Sequence, residues 1–378
     1  MKNIACGIAV LACLGVSASA ITRVGDSSEL FLTGTASVRT DDNIFLNDLD
    51  QVDDTIVELA PGVEYSFGQG AQMSGSFKAA ETFSRYLDNN NLDDELLSSS
   101  FKVGYDDAKL KLSFDASYDE LNQSTRDIRG TNLVRRDVIA SHADSQISVT
   151  EKTSTGLGVS YNDTDYKDSD YIDIQEIAVP FNYFYAISEK VDLSAGLRYR
   201  KTSLGENAGD SSDYYYNVGA RGEFTPKFSG FFSVGYNQRK PERGDDESSI
   251  GANASFAYDV TEKTSIGLDL SNDYTTSAEG ISQKTFSVAP SVTAKLSSQW
   301  EASFGLTYQK LEYFSGRDDE YLDARVGLAY RLNENASLSA GYNYRSNDSN
   351  VTYVDGAGRT RTGDFDNNVI TVAASVRF

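Results

Sequence analysis

Two cysteines in 378 residues, Cys6 and Cys13, both precede Leu14, so everything after Cys13 is without a thiol. An exported chain with this usage gains no stability from disulfides and must find it elsewhere. Long apolar runs are missing as well: after Val16 no stretch approaches the ~20 residues of a membrane helix, and the mean hydropathy is −0.41. Positive charge is scarce, with 34 Lys and Arg against 56 Asp and Glu and a net charge of −22. That balance, with a pI near 4.4, argues against nucleic acid as a partner. A helical period is absent after the first twenty residues. Histidine occurs once, at His142.

The beginning of the chain reads as a targeting segment. Met1-Lys2-Asn3 is a basic start, Ile4 to Val16 an apolar run, and Ala18-Ser19-Ala20 a small-residue cleavage site. Residues 1–20 are therefore expected to be a Sec signal peptide. A lipoprotein reading, with acylated Cys13 as the new terminus, leaves only nine apolar residues from Ile4 and has the poorer cleavage site. Residues 21–29 are expected to be a short periplasmic segment, too short for a plug domain, and 30–378 a single barrel.

What fills the rest is alternation. Leu110, Leu112, Phe114, Ala116 and Tyr118 share one face, and Lys111, Ser113, Asp115 and Ser117 the other. Val191 to Arg200 and Trp300 to Gln309 repeat the pattern, which is the period of two of a β-strand. Short turns centred at 69, 107, 152, 189, 226, 262, 298 and 334 recur at spacings of 38, 45, 37, 37, 36, 36 and 36 residues. Thr150-Glu151-Lys152-Thr153-Ser154 returns letter for letter as 261–265. Longer polar, acidic loops lie between them, near 40–54, 86–96, 119–136, 163–170, 204–213, 240–247, 275–282, 315–320 and 347–364. Eight short turns and nine long loops require eighteen strands with both ends on the short-turn side. The predicted fold is all-β: a transmembrane antiparallel up-and-down β-barrel of about eighteen strands, with short periplasmic turns and long acidic extracellular loops.

Aromatic placement supports a membrane. The outward face of rising strands reaches Tyr118, Tyr161, Tyr199, Tyr236, Tyr274, Tyr308 and Tyr344 near the loops; on descending strands it ends near the turns in Tyr65, Phe67, Tyr105, Tyr185, Phe224, Tyr258 and Tyr330. Two such levels are the girdles of the two membrane–water interfaces. Trp300 to Tyr308 spans about 20 Å of height at ~3.3 Å per residue and a ~40° tilt. Ile370, Val372, Ala374 and Val376 alternate up to terminal Phe378, which resembles the signal read by the outer-membrane barrel assembly machinery. Pro61, Pro180 and Pro290 interrupt descending strands, and a repeated β-bulge is the expected accommodation.

Arg39-Thr40-Asp41-Asp42-Asn43-Ile44-Phe45, followed by Asp53-Asp54-Thr55-Ile56 and Pro61-Gly62-Val63, resembles the opening of the second β-barrel porin family. Related barrels accompany exopolysaccharide and exosortase systems. The resemblance covers the first hairpin, about thirty residues. It implies a channel-like barrel in the cell outer membrane and carries no substrate or catalytic residue.

Among candidate chemistries, His142 with Asp144 two positions on would need an exposed serine to make a hydrolytic triad; nothing selects one, and no enzyme is expected. Asn162 to Asp170 is acidic but lacks the glycine and terminal glutamate of a calcium hand. No cofactor is expected, although the acidic loops could hold divalent cations weakly and bridge to lipopolysaccharide phosphates. The expected partners are outer-membrane lipid and lipopolysaccharide, with the assembly machinery met through Phe378; oligomeric state is left open. Arg39, Lys78, Lys102, Lys111, Asp115, Arg198, Arg200, Arg221, Glu223, Asp269, Glu301, Arg325 and Arg331 all index to the lumen face, as do Glu58, Glu64, Asp192, Asp323, Arg345 and Arg377. A hydrated wall of paired charges and a mixed-charge eyelet both fit. The function expected is passive diffusion of small hydrophilic solutes, provided loops do not fold inward to fill the lumen. The alternative is a structural or export-associated barrel.

Overall fold

The computed structural model describes residues 22–23, 27–127, 132–205, 209–354 and 358–378. The expected signal peptide lies outside the described residues. Each alternating segment forms a strand of 13 to 15 residues. The first six are β1 Ser28–Asp41, β2 Asp54–Phe67, β3 Met73–Tyr86, β4 Asp94–Asp106, β5 Leu110–Asn122 and β6 Arg135–Ser148. Then follow β7 Thr153–Tyr166, β8 Ile174–Ala186, β9 Val191–Leu204, β10 Ser211–Thr225, β11 Phe228–Pro241 and β12 Glu247–Thr261. The last six are β13 Thr264–Thr276, β14 Ser282–Lys295, β15 Trp300–Tyr313, β16 Asp318–Arg331, β17 Ala336–Ser349 and β18 Phe365–Arg377. The wall thus begins at Ser28, two residues before the Leu30 expected.

Every strand pairs antiparallel with its sequence neighbours, and β18 closes the ring on β1, from Thr33 opposite Arg377 to Asp41 opposite Val369. Closure leaves the eighteen-strand wall without an edge, which is what lets strands stand in lipid. The seam ends in a reciprocal pair of bonds: Leu32 N–H to the Phe378 carbonyl and Phe378 N–H to the Leu32 carbonyl, both 2.8 Å. The eight short turns fall where the sequence puts them, and both described ends lie on that side. Nine longer connections occupy the other end: L1 42–53, L2 87–93, L3 123–134, L4 167–173, L5 205–210, L6 242–246, L7 277–281, L8 314–317 and L9 350–364.

One face of the wall is apolar and open: Leu112, Phe114, Leu157, Val159, Leu193, Leu197, Val218, Val234, Phe304, Val326, Leu328, Ile370 and Val372 are all exposed. In water such a surface would be untenable; against hydrocarbon it is the lipid face. Trp300 stacks beside Tyr330 at the turn-end girdle, ring centroids 4.7 Å apart, and Tyr199 beside Tyr214 at the loop-end girdle, 5.3 Å.

Two expectations need correction. The prolines do not sit in bulges. Pairing skips two residues and resumes in the same register: Leu59 opposite Phe83 then Gly62 opposite Ala80, Leu157 opposite Phe181 then Ser160 opposite Ala178, Val288 opposite Tyr308 then Ser291 opposite Gly305. No residue is inserted. Proline lacks the N–H for one neighbour, while its other side stays paired, to Gly34, Arg198 and Leu268 respectively. Tyr274 is not a girdle residue either. It is 2% exposed, because β12 and β13 part company above Ala252 opposite Asn272, and the end of the β13–β14 hairpin leans into the barrel.

Candidate functional site

The inner face is built from the second residue of each alternating pair, so its positions follow from register. A pocket of about 770 Å³ is lined by Thr33, Glu64, Lys78, Lys102, Asp115, Asp119, His142 and Ser160. These residues come from β1 to β7, and a single hollow touching seven consecutive strands can lie only on the concave side of a closed sheet. It does not stand alone. A second pocket, about 840 Å³, shares Lys102 and Asp115 and extends to the turn end at Gln69. A third, about 260 Å³, shares Ser98 and Asp119 and reaches up under L1 and L3. Together they form one polar track along β1–β7, tightest near the loops.

The narrow section carries opposed charges. Arg39 and Arg345 line it together with Asp41, Glu58, Asp94 and Asp119, beside Tyr86 and Leu92. Arg39 reaches Glu58 at 3.4 Å and Asp41 at 3.8 Å.

The other expected lumen charges are placed as follows. Lys78 lies 3.7 Å from Glu64, which also holds Arg377 at 3.1 Å. Lys102 stands opposite Asp115 in the ladder. Lys111 pairs with Asp106 at 3.3 Å beside a turn, and Glu223 pairs with Lys190 at another. Arg221 pairs with Asp192 at 3.1 Å and lies over the Phe184 ring. Asp269 stands opposite Ser255 and Ala289. Glu301 and Arg331 line a separate turn-end pocket with Arg377. Arg325 makes a two-pronged pair with Asp323 at 2.8 Å. His142 touches Asp144 and stands opposite Asp115 and Ser160, within the wide pocket.

Arg198 and Arg200 are not in this track. They belong to a buried cluster on β9–β13 that pattern reading reached only in part. Asp273 accepts from Arg198 Nη2 at 2.8 Å, Arg200 Nη1 at 3.1 Å and Asn237 Nδ2 at 2.7 Å. Asp213 accepts from Arg200 Nε at 2.6 Å and Arg239 Nε at 2.7 Å. Arg239 is fully buried, and its Nη1 donates to the Thr275 carbonyl at 2.6 Å. Charges this deep persist only when paired and hydrogen-bonded. Arg239, Asp213 and Asp273 carried the inward parity in the sequence, but the partnership spans 75 positions from Arg198 to Asp273 and has no local signal.

Loops fold in over the lumen. L1 packs Ile44 and Phe45 on Ile56 and Tyr86, with Leu92 of L2 and Leu133 of L3 against them. Asn43 is fully buried, and its amide spans the loop: Nδ2 donates to the carbonyls of Asn47 and Asp366, and Oδ1 accepts from Asn47 N–H. The motif of the opening hairpin is therefore the core of a folded cap. L3 crosses to the far wall, where Arg126 bonds Gln309 and lies over the Tyr321 ring, and Tyr313 OH donates to Asp127 at 2.6 Å. L7 reaches L4: Ile172 N–H donates to the Ala278 carbonyl at 3.0 Å, and Ala278 packs with Val134, Tyr166 and Tyr171.

L1 is also clasped to L9. Asp48 accepts from Thr362 N–H at 2.8 Å and from Arg361 Nη1 at 3.4 Å. Burial pushes its carboxyl up, but the bonds from Thr362 and Leu49 and the nearby Arg361 charge outweigh that and hold it below the usual carboxylate value. In L5, the Lys201 ammonium and the Leu204 N–H do the same for Asp210 against a smaller burial cost. The acidic stretch from Asn162 to Asp170 is spent locally: Asp163 accepts from Tyr161 OH and Asp165 from Lys167, whose ammonium is pushed up by Asp165 and Asp137.

Residues 203–378, which hold the last nine strands, match the family described as "Putative beta-barrel porin 2"; the opening hairpin lies outside the matched residues. No curated protein matches the chain. Similar solved structures include OpdK of Pseudomonas aeruginosa with vanillate, at 11% identity over 93% of this chain and 99% of that one, TM-score 0.49. The FrpB iron transporter of Neisseria meningitidis aligns at 8% identity over 94% and 82%, TM-score 0.48. OccAB4 of Acinetobacter baumannii aligns at 12% identity over 93% and 99%, TM-score 0.47. The closed eighteen-strand wall and its lipid face make this a β-barrel of the outer-membrane type, and its matched half is similar to that porin family.

Proposed function

We propose that the barrel is a narrow channel for passive diffusion of small hydrophilic solutes across the outer membrane. One observation carries the reading: three pockets that share residues run from the turn end to the cap, along a wall of serines, lysines and carboxylates. A barrel that served only as scaffold would have no need of a continuous water-accessible track. The section of about 260 Å³ beneath L1 and L3 limits the size of what passes, and its Arg39, Arg345, Glu58 and Asp119 sort by charge. The acidic outer loops enrich cations before that section is met. Catalysis is not part of the reading: His142 sits in the wide pocket between Asp115 and Ser160 as a hydrated wall residue.

Single-channel recording of the refolded protein in a planar bilayer tests this. Small, steady openings are expected, and Glu58→Gln should move the reversal potential in a salt gradient toward anion preference. A folded barrel that stays silent at every voltage would overturn the reading and favour a structural or export-associated role.

A further inference from the structure

The ladder between β12 and β13 stops early for no reason in the sequence. It runs without a slip from Asp259 opposite Ser265 to Ala252 opposite Asn272, and nothing beyond contains a proline or an inserted residue. Continued in the same register it would set Gly251 opposite Asp273, Ile250 opposite Tyr274 and Ser249 opposite Thr275. In that arrangement Tyr274 and the exposed Ile250 would both face lipid at the height of Tyr236 and Tyr199, which is where the alternation puts them. Instead, Asn272 Nδ2 caps the Ile250 carbonyl at 2.6 Å, and the strand turns inward one residue later.

The inward position is held by an oxyanion and two carbonyls. Asp273 occupies Arg198, Arg200 and Asn237; the Tyr274 carbonyl takes Arg200 Nη2 at 2.6 Å, and the Thr275 carbonyl takes Arg239 Nη1 at 2.6 Å. Tyr274 lies between the Arg239 guanidinium, 5.5 Å from its ring centroid, and the Phe314 ring, 6.0 Å away. Without Asp273, two guanidinium groups and an amide would converge on one vacant site, balanced by Asp213 and by Glu176 at 3.7 Å from Arg200. Any small carboxylate or phosphate of matching charge could stand there.

We propose that the end of the β13–β14 hairpin is a gate, that Arg198, Arg200 and Asn237 form an oxyanion-binding site in the lumen, and that Asp273 is the gate's own ligand for it. An anionic solute displaces Asp273, residues 273–276 zip onto 247–251 of β12, and L7 withdraws from L4. This rests on the channel reading and adds to it a solute class and a switch. One anion replaces another at the arginines, and the Tyr274 carbonyl exchanges Arg200 for a ladder partner in Ile250.

The test is the double variant Ser249→Cys, Thr275→Cys. Odd residues of β12 direct their backbone toward β11, as Asp259 N–H shows by donating to the Lys227 carbonyl at 2.8 Å, so 249 opposite 275 would be a non-hydrogen-bonded pair, close enough for a disulfide. After removal of the signal segment no other cysteine remains. Oxidation of the barrel in lipid should cross-link the pair, with faster cross-linking in inorganic phosphate or acetate than in glycerol, and should fix the channel in a larger conductance that reduction reverses. Asp273→Asn should raise the fraction of time spent at that level about tenfold, the effect of weakening one charge-assisted contact. Failure of the pair to cross-link, or equal rates with and without anions, overturns the gate whatever the conductance. Cross-linking with the anion effect intact in a barrel that never conducts would uphold the gate and overturn the channel reading alone.

Discussion

Asn89 is bound twice to Asp54: its backbone N–H and its Nδ2 both donate to Asp54 Oδ2, at 2.9 and 2.8 Å, although 35 positions separate the two. The other carboxylate oxygen accepts from Leu87, Asp88 and Thr55 N–H. One buried side chain thus begins β2 and folds L2.

Asp54→Ala removes the carboxylate that the Asp88 and Asn89 amides share, while Leu87 N–H keeps the Thr55 carbonyl at 3.1 Å. The expected loss is about 2 kcal/mol, within the range for hydrogen bonds to a charged group. Thermal unfolding of the refolded barrel should fall accordingly, and hydrogen exchange at 87–89 should accelerate while exchange in β9–β18 stays unchanged.

Asp48 predicts an acid release of the cap. Its carboxyl is held below 3.8, the ordinary value, so its contribution is fully present above that value and is lost as pH falls through the lower, folded one. Exchange at the Thr362 amide, corrected for intrinsic rate, should be flat from pH 8 to about pH 5 and should rise only below about pH 4. A rise centred near neutrality would contradict the assignment.

The two faces of β15 should respond oppositely to charge. Phe304→Arg places a guanidinium in hydrocarbon and should cost ~2–4 kcal/mol near mid-depth. Thr307→Lys points into water opposite Asp323 and should cost less than ~1 kcal/mol. Reversible folding into lipid vesicles measures both.

Phe378 joins the seam through its backbone, so its ring is free to act in recognition. Phe378→Ala should cut the amount of barrel reaching the outer membrane in cells, while the same variant refolded in detergent melts within about 1 kcal/mol of the parent. Equal loss in both settings would make the ring merely structural.

The wall was legible because its rules are local. A period of two, turn residues at 36-residue spacing and a lipid face from Trp300 to Tyr308 are written in adjacent letters. The parity that placed Arg39, Lys78 and Arg325 on one face needs only counting. What escaped was set by residues far apart. Tyr274 has girdle parity but is drawn in by Arg200 and Arg239, and no counting along β13 reveals those partners. Pro61, Pro180 and Pro290 were visible as interruptions; that each deletes ladder bonds without shifting register depends on the neighbouring strand. The same holds for Asp41-Asp42-Asn43-Ile44-Phe45: it marked a family by its letters, and only its contacts with Asp366, Asn367 and Tyr86 reveal a folded cap.

L3 starts between β5 and β6 and ends on β15 and β16, ten strands round an eighteen-strand ring. Wide barrels deform easily from round to oval, since bending a sheet breaks no hydrogen bond. A segment anchored at both ends of a diameter works as a tie-rod: squeezing the rim slackens it and stretching the rim loads it. The first contacts to carry that load are those of Arg126 and Asp127, long before any strand separates. Lateral crowding in the membrane would thereby be felt directly at the mouth of the lumen.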